Sequence, residues 1–193
     1  MTKKVILASA SPRRKELLNL IGLKFKVNPG DYEEDLGIDL DPHELAKHLS
    51  AEKARHVAYR HKNAIIIAAD TFIVFRHHLL GKPHTDAEAL RMLRLLNGKQ
   101  HSVITGYTVM DTATGRKVSR SIETKIWFRK MGQEELMAYV STGEPLDKAG
   151  AYAIQGVGSL LIKKIEGDYF NVIGLPVATL SETLKLFGIT VLG

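Results

Sequence analysis

Apolar residues recur along this chain in two rhythms, and the places where one gives way to the other mark out its elements. Lys4–Ala8 is a short β-branched apolar run and predicts a strand. Beyond Ser9-Ala10-Ser11-Pro12, Leu17, Leu18 and Ile21 share one face at helical spacing, so Arg13–Ile21 predicts a helix. Ser11 fits its N-cap, Pro12 its first residue and Gly22 its stop. Phe25–Asn28 reads as a second strand and the acidic, glycine-bearing Gly30–Asp41 as a loop. Pro42–Arg60 predicts a helix with Leu45, Leu49 and Val57 inward. Ala64–Phe75 is a long apolar run broken only by Asp70-Thr71, the pattern of a strand buried on both faces. Arg76-His77-His78 predicts a turn, from which Leu79-Leu80 lead to Gly81-Lys82-Pro83. Thr85–Leu96 predicts a helix closed by Asn97-Gly98. Gln100–Met110 and Lys117–Arg129 flank Asp111-Thr112-Ala113-Thr114-Gly115 as a hairpin. Gln133–Val140 is then helical, Ser141–Gly158 a loop and Ser159–Ile165 a strand, and Gly174-Leu175-Pro176 opens a last helix through Phe187.

Strands and helices mixed in this way predict an α/β fold: a mixed twisted sheet with flanking helices, in two lobes around a cleft. The 193 residues suit one domain spanning 1–193, with no internal repeat, low-complexity tract or linker.

Composition narrows the picture. With 45% hydrophobic and 25% charged residues the chain has the profile of a globular protein, not a disordered one. No run of about 18 apolar residues is present, and the N-terminal apolar stretch is too short for a signal peptide, so a cytoplasmic protein with no membrane partner is expected. The chain has no cysteine, which excludes disulfides and thiolate metal sites. The net charge of +6 favours a polyanionic partner. Lys and Arg are dispersed and no basic strand carries interleaved aromatics, which disfavours nucleic acid. No Gly-x-x-x-x-Gly-Lys-Ser/Thr run is present, which sets a kinase-like site aside.

Five stretches carry candidate chemistry. Ser9-Ala10-Ser11-Pro12-Arg13-Arg14-Lys15 places hydroxyls and three cations where a strand feeds a helix. Helix N-termini attract anions, and cations there are opposed by the helix dipole unless an anion offsets them. Read blandly, the same stretch is an N-capped surface helix. Asp70 is a carboxylate inside an apolar strand, so it needs a partner, a metal or an exposed position. It suits a Mg²⁺ ligand or a base for water, and equally a strand-end Asp bonded to amides. Gly81-Lys82-Pro83 offers a lysine to a phosphate or is a plain turn. Thr142–Tyr152 is a long polar loop whose Asp147-Lys148 pair is either structural or placed at the phosphates. Glu166–Asn171 reads as a capping turn. The eight histidines form no metal signature and read as surface residues.

In their order these stretches resemble the Maf family of nucleotide pyrophosphatases. The matching text is Leu7–Leu18, Ala69-Asp70-Thr71, Gly81-Lys82-Pro83, Glu144–Tyr152, Gly167-Asp168-Tyr169 and Val172–Pro176. The resemblance implies a Maf- or ITPase-like fold, often a homodimer, that takes a nucleoside triphosphate as substrate together with a divalent metal, Mg or Mn. It implies Asp70 as proton acceptor, Ser9, Arg13, Arg14, Lys53 and Lys82 as phosphate-binding residues, and Glu34 (with Glu33 adjacent) beside Asp70 at the metal. Arg13, Thr71 and Gln155 match the branch that acts on dTTP and UTP; Phe72 departs from a commoner small aliphatic, a change expected to affect packing. The competing expectation is a nucleic-acid-binding or septum-inhibiting regulator of cell division on the same fold.

Overall fold

A computed structural model describes residues 3–30, 32, 38–76 and 78–192. The first apolar run forms β1 (Lys4–Leu7) and is followed by α1 (Pro12–Leu20), whose N-cap Ser11 accepts from the Arg14 amide. Next come β2 (Lys26–Val27), α2 (Pro42–Ala58), β3 (Ala64–Phe75), β4 (His78–Leu80) and α3 (Asp86–Leu96). The hairpin strands are β5 (Gln100–Asp111) and β6 (Lys117–Phe128), and α4 (Gln133–Val140), β7 (Ile162–Glu166), α5 (Tyr169–Ile173) and α6 (Val177–Lys185) complete the chain. Seven strands among the described residues make one mixed sheet, ordered β2-β1-β3-β5-β6-β7 with β4 on β3. Strand β1 runs parallel to both β2 and β3, while β4 and β7 join antiparallel. This is the mixed α/β sheet that the pattern predicts.

The chain divides into two compact units, and β3, β5 and β6 give part of their length to each. The first comprises residues 1–70, 105–122 and 174–193. Side chains alternate across a strand with period two, and here that alternation separates two helices. Along β3, Ala64, Ile66 and Ala68 pack with Ala54 and Val57 of α2, together with Ile6 and Ala8. Along β5, Thr108 turns to the same helix, where its hydroxyl meets Ser50 Oγ at 2.8 Å and Ser119 Oγ at 2.8 Å. Tyr107 faces the other way, its hydroxyl 3.0 Å from the Thr179 carbonyl and 2.7 Å from Thr183 Oγ1 of α6. Helix α2 lies so close to the sheet that a Cβ on Gly106 would stand 2.0 Å from the Ala46 carbonyl oxygen. Only glycine permits that approach.

The second unit comprises residues 71–104 and 123–173. Leu93 and Leu96 of α3, Leu136 and Tyr139 of α4, and Val103, Ile126 and Phe128 from the strands share its core. Two expectations are corrected here. The segment predicted as the loop Ser141–Gly158 contains 3-10 turns at Glu144–Asp147 and Ala149–Ala151, and a third turn, Gly156–Leu161, runs past its end. That third turn takes the first residues of the strand predicted over Ser159–Ile165, so β7 begins at Ile162. Turns this short give no apolar repeat to read. The last polar stretch does form a capping turn: Asp168 Oδ1 accepts from the Phe170 and Asn171 amides at 2.7 and 3.1 Å.

The histidines are not all at the surface. His101 is 2% exposed, packed edge-on against Phe128 and Tyr152, with Nε2 2.7 Å from the Tyr152 hydroxyl. Its place on β5 turns it inward, since alternate residues of that strand face the core. Burial lowers its pKa from 6.5 to about 3. The unfolded chain therefore takes up this proton near pH 6.5, whereas the folded chain resists until about pH 3. His101 thus contributes stability in full above pH 6.5 and loses it as the pH falls, at about 1.4 kcal/mol per pH unit. Urea titrations between pH 6.5 and 5 should show His101→Phe with a shallower acid dependence than the wild type, by close to one proton; equal slopes would contradict the neutral buried imidazole.

Candidate active site

Among the described candidate residues of the first unit two pairs form, Ser9 with Arg14 after β1 and Lys53 with Asp70 on the neighbouring strand β3. The chain leaves β1, makes β2 on one side through α1, then crosses to make β3 on the other side through α2. Strand β1 is thus the point where the winding reverses, and open α/β sheets bind ligands outside the carboxyl end of such a strand. The pairing of Leu7 with Ile67 and the 2.8 Å bond from the Ala8 amide to the Ile67 carbonyl set the register. Ser9 lies two residues beyond the end of β1, and Asp70 lies three residues beyond Ile67 on the neighbouring strand.

Ser9 is half-buried and its Oγ accepts twice, from the Ser11 amide at 3.2 Å and from Arg14 Nη1 at 3.1 Å. A serine hydroxyl has two acceptor lone pairs and one donor. With both acceptor positions used, the Ser9 proton is left to donate, which suits an anionic oxygen. Arg14 also donates from Nε to the Gly174 carbonyl at 2.9 Å, which ties the start of α1 to the turn ahead of α6. Arg13 stands half-buried in the same first helical turn, which contains no acidic residue. Positive charge at a helix N-terminus is opposed by the helix dipole, and an anion bound there would offset it. The sequence marked Gly174 as a helix opener within the matching stretch Val172–Pro176; its backbone, at φ 125°, turns the carbonyl that receives Arg14.

Asp70 has the partner that its burial requires. It continues the Ala64, Ile66, Ala68 row of β3 and so faces α2, and Lys53 of that helix donates to Asp70 Oδ1. The Asp70 side chain is 5% exposed and that of Lys53 15%. The alkyl stem of Lys53 lies along the buried face of α2, between Ser50 and Val57, and its ammonium reaches the carboxylate from there.

The remaining candidates belong to the second unit. Thr71 is half-buried and next to Asp70 in the chain, and Phe72 is buried in the same strand. Lys82 is exposed, on a turn held by the 2.8 Å bond from the Gly150 amide to the Gly81 carbonyl. Gln155 is exposed at the start of the third 3-10 turn. Asp147 and Lys148 pair with each other. Glu34 and its neighbour Glu33 lie outside the described residues.

Fold and site together define an α/β protein with a mixed sheet, a cationic helix end at the switch point of that sheet and a buried carboxylate on the next strand. The chain belongs to the Maf family: the sequence model of the Maf-like protein family matches residues 4–187. A dTTP/UTP pyrophosphatase of Methanosarcina mazei is 49% identical over 190 residues, covering 98% of this chain and 96% of that protein. A dTTP/UTP pyrophosphatase of Moorella thermoacetica is 46% identical, covering 98% of each. Among solved structures, a HAM1 protein from Coxiella burnetii has the same fold, with a TM-score of 0.55 at 17% identity over 96% of this chain and all of that one. Among the described residues no helix is long and apolar enough to cross a membrane.

Removing one partner of a buried ion pair strands the other, at a cost of about 3 kcal/mol. Lys53→Met alone should lower stability by about that amount, and adding Asp70→Asn should recover more than half of it. Urea unfolding of the two single variants and the double variant measures the coupling; additive losses would mean that the pair does not act as one.

Proposed function

We propose that this protein hydrolyses dTTP and UTP to the nucleoside monophosphate and pyrophosphate. The reaction class is supported chiefly by one observation: buried Asp70, paired with Lys53 of α2, stands on the strand next to the one that leads into the Ser9–Arg14 turn. The choice of nucleotides is supported by the relatives so named at 46–49% identity over nearly their whole length.

A triphosphate carries several negative charges, and the leaving pyrophosphate gains more as the bond breaks. Ser9, Arg13, Arg14 and Lys53 are suited to receive that charge through fixed donors, the largest contribution in many hydrolytic sites. An ammonium carries three donors, so Lys53 can hold a carboxylate and a phosphate oxygen at once. Asp70 is assigned to accept the proton of the water that attacks the α-phosphorus. The oxygen–phosphorus bond to that water forms, the bridge between the α- and β-phosphorus breaks, and the leaving oxygen departs with the pyrophosphate. The family resemblance adds Lys82 at the phosphates and Thr71 and Gln155 at the base. An amide presents a donor and an acceptor together, which suits the imide edge of uracil or thymine.

A divalent ion, Mg or Mn, belongs to the same reading. Mg²⁺ takes one or two carboxylates and completes its shell with substrate phosphates and water. Among the described residues no group of three His, Cys, Asp or Glu side chains could enclose an ion, while Asp70 offers one hard oxygen ligand. That donor set fits an ion that arrives with the triphosphate, with Asp70 and Glu34 as its protein ligands. When bound, the ion would supply charge neutralisation beside the arginines. The homodimer rests on the family resemblance. No observation on the fold favours a nucleic-acid-binding or septum-inhibiting regulator over the hydrolase.

Pyrophosphate release from a nucleotide panel with Mg²⁺ or Mn²⁺ should be fastest with dTTP and UTP. Asp70→Asn should lower kcat about a thousandfold, the scale of a lost general base. Gln155→Glu should lower the preference for UTP about tenfold. Release no faster from the wild type than from Asp70→Asn would refute the reaction, and an unchanged base preference in Gln155→Glu would refute the specificity assignment.

A further inference from the structure

The backbone that carries Gln155 is fastened on both sides of that residue by one carboxylate and one phenol. Glu144 opens the first 3-10 turn, eleven positions before Gln155 in the chain. Its Oε1 accepts from the Tyr139 hydroxyl at 2.9 Å and from the Gly158 amide at 2.8 Å, and its Oε2 accepts from the Val157 amide at 3.1 Å. The Tyr139 oxygen in turn accepts from the Ala153 amide at 3.2 Å. The chain is therefore held at 153 before Gln155 and at 157 and 158 after it. A further anchor lies upstream, where the Tyr152 hydroxyl meets buried His101 Nε2 at 2.7 Å.

Two glycines let the strap close on this hub. A Cβ on Gly156 would stand 2.5 Å from Glu144 Oε2, and one on Gly158 would stand 2.4 Å from the Ala153 carbonyl and 2.6 Å from the Tyr139 hydroxyl. Between the buried stretch Ala151–Ile154 and buried Gly158, the residues Gln155, Gly156 and Val157 emerge as an exposed tip. The Gln155 side chain makes no capping hydrogen bond to the turn that it opens, so its amide is not committed there. The hub carries directed chemistry. An ionised carboxylate only accepts, and here it meets three donors. Burial, followed by the bond to Glu144, raises the pKa of Tyr139, which keeps its phenol a donor.

We propose that Glu144, acting through Tyr139 and the amides of Val157 and Gly158, is the positioning residue that aims Gln155 at the nucleotide base; this rests on the pyrimidine nucleotide reading given above. Such a role is one of discrimination. A strap loosened at Glu144 still leaves Ser9, Arg14, Lys53 and Asp70 where they are, so the chemistry survives while the choice of base weakens.

The test uses the intact chain and three variants. E144Q puts an amide NH₂ where one oxygen now accepts, so at least one donor–donor clash replaces a hydrogen bond. Y139F removes one hydroxyl and keeps the ring. L136A, a buried residue of the same helix, is the control for general loss of stability. Amide hydrogen exchange at Val157 and Gly158 should be faster by at least about tenfold in E144Q, the scale of one lost hydrogen bond to a charged group. The ratio of kcat/KM for UTP to that for GTP should fall about tenfold in E144Q and in the same direction in Y139F, through KM more than kcat. L136A should lower the melting temperature and keep the ratio. Wild-type exchange rates at both amides in E144Q would overturn the proposal, as would a wild-type ratio in E144Q and Y139F, or an equal fall in L136A. A wild-type protein that releases no pyrophosphate from UTP would refute the proposed reaction instead, and the exchange measurement would still decide whether Glu144 holds the strap.

Discussion

The first unit is organised around the ion pair between Asp70 and Lys53. A carboxylate in the fourth position of an inward-facing row, after Ala64, Ile66 and Ala68, has little water to solvate it. Burying it alone is costly, and pairing it only partly offsets the desolvation of both groups. The arrangement holds because α2 is brought close enough for Lys53 to reach. The missing side chain at Gly106 permits that approach, the Ser50–Thr108–Ser119 hydroxyl chain ties the helix to the sheet, and Ala54 and Val57 fill the space beside Ile66. An apolar pair of similar size would be expected to stabilise the domain at least as well. A buried ion pair kept on β3 just beyond its parallel pairing with β1 is therefore better explained by chemistry at that place than by stability.

The cations at the start of α1 are held in a different way. Arg14 is fixed by two acceptors from separate parts of the chain, Ser9 Oγ and the Gly174 carbonyl, so its guanidinium is positioned before any anion arrives. A planar group anchored at two points loses little freedom on binding, which is where arginine differs from a flexible lysine. The same contact occupies a lone pair of Ser9 and thereby orients its hydroxyl. One residue thus supplies charge and at the same time aims the hydroxyl next to it.

Much of this was legible in the sequence, and what was not had physical causes. The bounds of β3, the Ser11 cap of α1 and the inward residues of α2 follow from periodicity and capping, which are local. That Asp70 needs a partner could be read from its apolar neighbours, but the structure was needed to show Lys53 donating to it, since their meeting depends on how α2 lies on the sheet. The 3-10 turns between Glu144 and Leu161 escaped because they bury their residues without a repeat. The burial of His101 escaped because a polar residue in a strand gives no sign of which face it occupies until the pairing is known.

On the proposed reading, two modes of recognition go with these two kinds of construction. Charges placed on a helix end and within a strand are blind to the base, because every nucleoside triphosphate presents the same phosphates. Discrimination must come from groups whose donors and acceptors are fixed in direction, since a freely moving amide can satisfy several bases at little cost. On the proposed reading the Gln155 strap would meet that requirement through Glu144, where three donors converge on one carboxylate. A side chain assigned to specificity is thus only as selective as the backbone beneath it is rigid, and in this unit that rigidity is supplied by a residue that need never touch the substrate.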